Sequence, residues 1–551
     1  MMRLFVFALF QLLVVAGFAQ PKDIVTNQGI TSAFHQANLG KILFTAKNIA
    51  VLDLRQEDVL KEYVFTNKSD LFMTVFMDNS MTNYLYALAP HLTADSVVKI
   101  GNYQFALYID GHLVYESNLY PGAPYPSVQD TATLISKPLV DNKHEGVYWT
   151  QSYWGRFLAN GGDSALTDGK HLLQMKIRPY IKLNEVVKVG DYIAEGSVHL
   201  TVQRRVKIDF EKIHLTPIKP YPGFGISKEQ FDHKKIITLK GNIEQGAFKR
   251  INGVVVISNG NLLIEEYFNG EDRYSLHDPR SVGKSFASTV TGIAIQEGYL
   301  KSEAQRLKEF YDLHRFEHYA VEKDDVAIKD LLTMSSVFDG DDNTNSPGNE
   351  ENMYPAENWV NFTLNLPVNL TRPAGEWHYF TAGVVLLGDI LNKTVPGGLE
   401  KYADAKLFKP LGITEYKWQY TPQHVANTAG GIQMRALDFA KYGQLYKNEG
   451  KWNGRQLIPA QWVHKTFTRH KTIPGRTEEY YGYLFWNKKY RVGGKEYETF
   501  YCAGNGGNKI FVFPDHPWVI VITASAYGAL YAHPQVDKMM KEYIIPALVG
   551  K

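Results

Sequence analysis

The sequence predicts an α+β protein in two parts: an all-β, sandwich-like region, then one antiparallel sheet flanked by helices. Three observations predict it. From 23 to 209 the chain reads as alternating or β-branched runs at sheet period. A stretch over 216–227 then carries Pro217, Pro220, Pro222, Gly223 and Gly225, the composition of a semi-rigid linker. Beyond it, strands stand at both ends and helix-period runs fill the middle. The boundaries expected are a leader over 1–19, a β-sandwich-like accessory domain over 20–215, a linker over 216–235 and an α+β domain over 236–551. A length of 551 residues suits such a division, at roughly 100–200 residues per domain.

The leader has Arg3 before a nearly unbroken apolar run over 4–15, and Gly17-Phe18-Ala19 closes on small residues. That is a secretory signal cut after Ala19, too short to span a bilayer, so the mature chain is expected periplasmic or secreted with no stable membrane anchor. In the β-rich part, 72–77, 172–177 and 198–208 read as strands, and 105–109 and 113–115 flank the hairpin signal Asp110-Gly111. Trp149, Trp154 and nearby tyrosines offer a carbohydrate or cell-surface platform; aromatic core is the heavier reading. After the linker, 254–257 and 262–264 bracket Ser258-Asn259-Gly260-Asn261 as a hairpin. Helices are predicted over 281–296, 328–334, 383–392 and 438–447, strands over 510–513 and 519–522, and a last helix near 536–545.

Composition excludes several functions. Lys and Arg total 59 against 57 Asp and Glu, a net charge of +2 with no long like-charged run, so no nucleic-acid partner is expected. Apolar residues at 44% and charged ones at 21% describe a globular chain. Cys502 stands alone, which excludes intrachain disulfides and cysteine-based metal sites.

Chemistry concentrates at Ser281-Val282-Gly283-Lys284. A Ser-x-x-Lys is weak alone, about one or two being expected by chance. A second, Ser96-Val97-Val98-Lys99, lies in a strand-like run, where residues three apart face opposite ways. Ser281 opens a helix, where they share a face beside backbone amides that favour developing negative charge. Lys284 stands in an apolar helix, where desolvation lowers its pKa towards that of a base. The alternative is Ser281 as a plain N-cap.

Five blocks extend the pattern: 278–286 around Ser281, 328–336, Pro373-Ala374-Gly375-Glu376-Trp377-His378-Tyr379-Phe380-Thr381, Ala429-Gly430-Gly431-Ile432 with 438–443, and Gly504-Asn505-Gly506-Gly507-Asn508. In order and content they resemble the serine β-lactamase and penicillin-binding-protein superfamily, in its class C-like branch of esterases, D-amino-acid peptidases and 6-aminohexanoate-dimer hydrolases. The resemblance implies a β-lactamase-like serine hydrolase domain, no cofactor and no metal. It implies acyl transfer through Ser281, with Lys284 and Tyr379 as general base and acid. The oxyanion hole would be the amides of Ser281 and Asn508, with Thr381, Asn505, Gly506 and Gly507 at the substrate. Gly506 and Gly507 would let the chain pass close to substrate, where a Cβ would collide. Two departures matter: Thr381 stands where the family often has Asn, and Asn505 replaces a cation that commonly receives a carboxylate. Both favour a neutral, small or oligomeric ester or amide over a β-lactam or cell-wall peptide, and a cleft that attracts no anion.

Competing signals are weaker. His314, Glu317 and His318 match a zinc-peptidase spacing with both histidines on one helical face, but the flanks hold no clear third ligand. Asp339, Asp341, Asn343, Asn345 and Glu350 fall at calcium-loop spacing, with Thr344 where glycine is needed; a solvated loop beside the cleft is the better reading. Cys502 reads as a small buried or cleft-wall residue, and Glu376 and His378 as neighbours of Tyr379. A non-catalytic sensor keeping the fold is the remaining alternative.

Overall fold

Turn chemistry and alternation build the first region. The computed structural model describes residues 27–66, 69–119, 121–122, 126–140, 149–183, 186–203 and 208–550, so the expected leader lies outside the described residues. Asp110 and Gly111, with φ of 52° and 83°, join strands Gly101–Ile109 and His112–Asn118 in the hairpin the sequence predicts. These belong to a six-stranded sheet with Glu62–Phe65, Gly169–Leu183, Val186–Val189 and Ala194–Val202. A second sheet pairs Ile42–Thr45, Leu71–Phe76 and Leu134–Val140. The region is β-rich and has its own core, including Phe105, Leu173, Ile177 and Val198.

The region also carries helices that alternation did not reveal. Ser96 and Lys99 belong to helix Ala94–Ile100, not to a strand; Thr93 caps it by accepting the Ser96 amide. Both residues are exposed, so burial rather than strand geometry separates this Ser-x-x-Lys from the other. Helix α1 (Trp149–Phe157) brings Trp154 edge-on to Phe65 at 6.0 Å, and Trp154 is buried. It is core, not platform; the Trp149 side chain lies outside the described residues.

The proline-rich stretch is strapped to the second region. Tyr221 and Phe224 are buried in its core, and the Tyr221 hydroxyl donates to Asp438 Oδ1 at 3.0 Å. The Thr216 amide and hydroxyl both donate to Glu266, at 2.7 Å each.

In the second region, β1 (Ile251–Ser258) and β2 (Asn261–Tyr267) pair across Asn259 and Gly260. With β3 (Trp486–Val492), β4 (Lys495–Gly504), β5 (Asn508–Val512) and β6 (Trp518–Ala524) they form an antiparallel core ordered β2-β1-β6-β5-β4-β3. Val255, Ile257, Val519 and Val521 face one apolar cluster; Val254, Val256, Ile520 and Ile522 face another. A sheet covered on both sides needs apolar residues at every position, hence the unbroken runs in β1 and β6. Helices α2 (Gly283–Gln296), α3 (Thr381–Thr394) and α4 (Ala436–Lys447) supply the first cluster. Helix His233–Glu244 and the C-terminal helices cover the second. Among the described residues no helix is long and apolar enough to cross a membrane.

Candidate active site

Ser281 sits in a 3-10 turn, Arg280–Val282, that runs into α2. Asp278 Oδ1 accepts the Arg280 amide at 2.9 Å, and Arg280 has a φ of 53°, a conformation that L-residues keep only where their surroundings impose it. The turn is wedged between two glycine backbones. A Cβ at Gly430 would lie 2.6 Å from Arg280 O and 3.0 Å from Ser281 N. One at Gly504, the last residue of β4, would lie 1.8 Å from Pro279 O and 3.1 Å from Ser281 N. No side chain fits at either place.

The second residue of α2, Lys284, is 1% exposed, and its Nζ donates to Ser281 Oγ at 2.7 Å and to Ala429 O at 2.5 Å. Burial lowers its pKa, while the Glu350 and Asp342 carboxylates pull it back up. The ammonium is 5.3 Å from the centre of the Tyr379 ring. Burial raises the Tyr379 pKa, and its hydrogen bond with Ser281 opposes that rise. Trp486 stacks on the Tyr379 ring at 5.9 Å, which fixes where its hydroxyl points.

The acid-rich loop after Phe338 braces this tyrosine. The Asp342 amide donates to Tyr379 O at 2.8 Å, and its Oδ2 accepts the Thr381 amide at 2.9 Å. Its Oδ1 accepts the Glu350 amide at 2.9 Å. Burial and the Glu350 charge raise the Asp342 pKa, against a hydrogen bond from Thr381 and the charge of Lys284. The pocket over Ser281 is lined by Arg280, Glu350, Tyr354, Asn505 and Tyr527, among others.

The sequence profile of the family described as Beta-lactamase matches residues 239–533, more than half of the chain. The chain belongs to the β-lactamase family. It is a serine hydrolase of that superfamily. Solved structures similar to it include a penicillin-binding-protein homolog from Caulobacter crescentus, 14% identical, covering 56% of this chain and 95% of that one at a TM-score of 0.43. Another is a D-stereospecific amidohydrolase from Streptomyces sp., 14% identical, covering 53% and 94% at 0.41. A third is the octameric penicillin-binding protein homologue from Pyrococcus abyssi, 19% identical, covering 53% and 73% at 0.40. No curated protein matches the chain.

Ser281, Lys284 and Tyr379 thus converge as the family resemblance implies, and Asn505 lines the pocket. Other expected site residues stand elsewhere. Asn508 is 1% exposed; its Nδ2 donates to Asn505 O and Ala524 O, and its Oδ1 accepts the Ala524 amide. Gly504 and Gly430 both bring backbone close to the Ser281 amide. Thr381 is fully buried at the head of α3, so its hydroxyl offers no surface to a substrate. A Cβ at Gly506 would strike the Tyr527 ring at 2.8 Å, and one at Gly507 would strike Ala532 O at 2.8 Å. These glycines make room for protein, not substrate. Asn505 Oδ1 accepts the Gly528 amide at 2.8 Å, while Arg280, 4.4 Å over the Tyr527 ring, puts a cation in the pocket wall. The cleft therefore carries charge of both signs, not the neutral wall that Asn505 alone implied.

The competing motifs resolve too. His314 lies in a 3-10 turn and His318 has a φ of 54°, so the two share no helical face. Among the described residues no group of three metal-ligating side chains forms. The Cys502 thiol is buried and pushed up to about 12 by burial. His378 is buried, its Nδ1 3.2 Å from Glu376 O. Sequence reasoning passed over Arg280, Asp342, Tyr354 and Tyr527. Acidic spacing in 339–350 is the signal that finds Asp342 when it is read beside a buried lysine instead of as a solvated loop beside the cleft.

Proposed function

We propose that the protein is exported and cleaves a neutral ester or amide through an acyl-enzyme on Ser281. The observation that carries this is the 2.7 Å contact of Lys284 Nζ with Ser281 Oγ inside a buried, pKa-lowered setting. Neutral Lys284 takes the Ser281 proton as the Oγ–C bond forms and the carbonyl pair moves onto oxygen. The amides of Ser281 and Gly504 receive that oxyanion, each donor worth roughly 3 kcal/mol. As the tetrahedral adduct collapses, the bond to the leaving group breaks, Tyr379 gives its own proton to that group, and Lys284 returns a proton to the phenolate. Water then repeats the sequence in reverse and frees the acid. The leader over 1–19 supports export.

Arg280 favours a second reading, because a guanidinium in the pocket wall suits the carboxylate of a β-lactam or a D-amino-acid peptide. A panel of p-nitrophenyl esters, anilides and nitrocefin on wild type and Ser281→Ala separates the two. Turnover of nitrocefin without ester hydrolysis reverses the order. Intact mass after fluorophosphonate treatment should show one adduct, absent from Ser281→Ala; a wild type that stays unlabelled is the non-catalytic sensor.

A further inference from the structure

One wall of the Ser281 pocket is also the seam with the N-terminal region. Tyr527 lines that pocket, and it lines a second small cavity whose other side is Leu139, Trp154 and Leu158. Its hydroxyl donates to Asp278 O at 3.0 Å, which ties it to the nucleophile turn. Helix α1 reaches this wall at two successive residues. Gly155 lies so close to the 527–528 backbone that a Cβ would stand 2.6 Å from Gly528 Cα and 2.7 Å from Tyr527 O. Arg156 donates to Glu351, the neighbour of pocket-lining Glu350 in helix Glu350–Met353. Gly528 is in turn the donor to Asn505, a third lining residue.

Resting on the Ser281 hydrolase reading, we propose that α1 is a specificity-determining part of the acyl-transfer site. Gly155 and Arg156 are positioning residues that set Tyr527, Asn505 and Glu350 in the pocket wall, and so decide how bulky an acyl group reaches Ser281. Neither touches the reacting atoms. The lever is geometric: Gly155 admits the 527–528 turn to its closest approach, and Arg156 anchors the helix that begins with Glu350. A region with a separate core thereby becomes one side of the substrate site.

The test compares p-nitrophenyl acetate with p-nitrophenyl octanoate on the full chain, in wild type, Gly155→Val, Arg156→Glu and the swap Arg156→Glu/Glu351→Arg. Arg156→Glu should change the octanoate-to-acetate ratio of kcat/KM about fivefold through KM, the upper end of what a half-exposed ion pair supports. The acetate kcat should hold within about twofold, since no group at the reacting atoms is touched. The swap should restore the wild-type ratio, and Gly155→Val should change it further. If Gly155→Val does not fold, the charge swap decides alone. An unchanged ratio in Arg156→Glu, with Ser281 still taking the fluorophosphonate, overturns the inference. A wild type that takes no fluorophosphonate refutes the hydrolase reading itself, which keeps the two failures apart.

Discussion

Gly504→Ala is the sharpest probe of how the nucleophile turn is built. The added methyl would stand 1.8 Å from Pro279 O and 3.1 Å from Ser281 N. Carbon and oxygen rest at about 3.3 Å, so β4 and the 3-10 turn must part by roughly 1.5 Å between them. That displacement falls on the two amides assigned to the oxyanion. Misplacement of ~1 Å costs about 10²-fold in rate, and loss of one oxyanion donor costs about 10²–10³. The variant should therefore lose about 10² in kcat, or ~2.7 kcal/mol of transition-state stabilisation, with KM within a few-fold. Steady-state hydrolysis of p-nitrophenyl acetate reads the loss directly, and the rate of fluorophosphonate labelling should fall with it. Gly454→Ala is the control for activity: its methyl meets nothing within 4 Å, so although φ of 77° makes the substitution cost some stability, kcat should hold. A kcat within about threefold of wild type in folded Gly504→Ala refutes the reasoning, since an oxyanion donor cannot be moved so cheaply.

Asp342→Asn leaves one oxygen to accept two amides, Thr381 and Glu350; kcat should fall about tenfold, the scale of one lost hydrogen bond. Its charge also raises the Lys284 pKa, so the acid limb of the kcat/KM profile should move to lower pH; an unmoved limb contradicts that coupling. Asp438→Ala strands Lys441, 1% exposed and 2.9 Å from that carboxylate, and urea titration should show a loss of about 3–5 kcal/mol. Burial pushes Lys509 down to about 7, against about 10.4 when unfolded. Between those values the unfolded chain holds a proton that the folded one lacks, so stability rises with pH across that window. Lys509→Met should flatten the slope of Tm from about pH 7 to 9, and a slope equal to wild type would assign it to another group.

The parts that were legible in sequence are those whose physics is local. Asp110-Gly111 and Asn259-Gly260 turn where they were expected because positive φ is a property of two residues. The runs in β1 and β6 announced a sheet buried on both faces. The Ser281–Lys284 pair was legible because a helix places residues three apart on one face. Ser96 was misread because Val97 and Val98 imitate a strand, while the Thr93 cap that starts the helix is a single residue easily passed over.

The site's remaining geometry was not legible. The register of β4 against β5 turns the Asn508 side chain to Ala524 and sets Gly504 against Pro279. Thr381 looked like a substrate contact by its spacing from Tyr379, and burial decided otherwise. Neither outcome is encoded within a few residues.

By itself, then, the chain pointed to the two regions, the sheet with its flanking helices, and the Ser281–Lys284 pair through periodicity, turn residues and short motifs, while Tyr379 came from the family resemblance. Only the tertiary structure decided what surrounds that trio. Ala429 comes to Lys284 from 145 residues away, and Arg156 comes to Glu351 from 195. Such meetings depend on strand register and on how two cores pack together. They are properties of the whole fold and leave no trace in a local pattern.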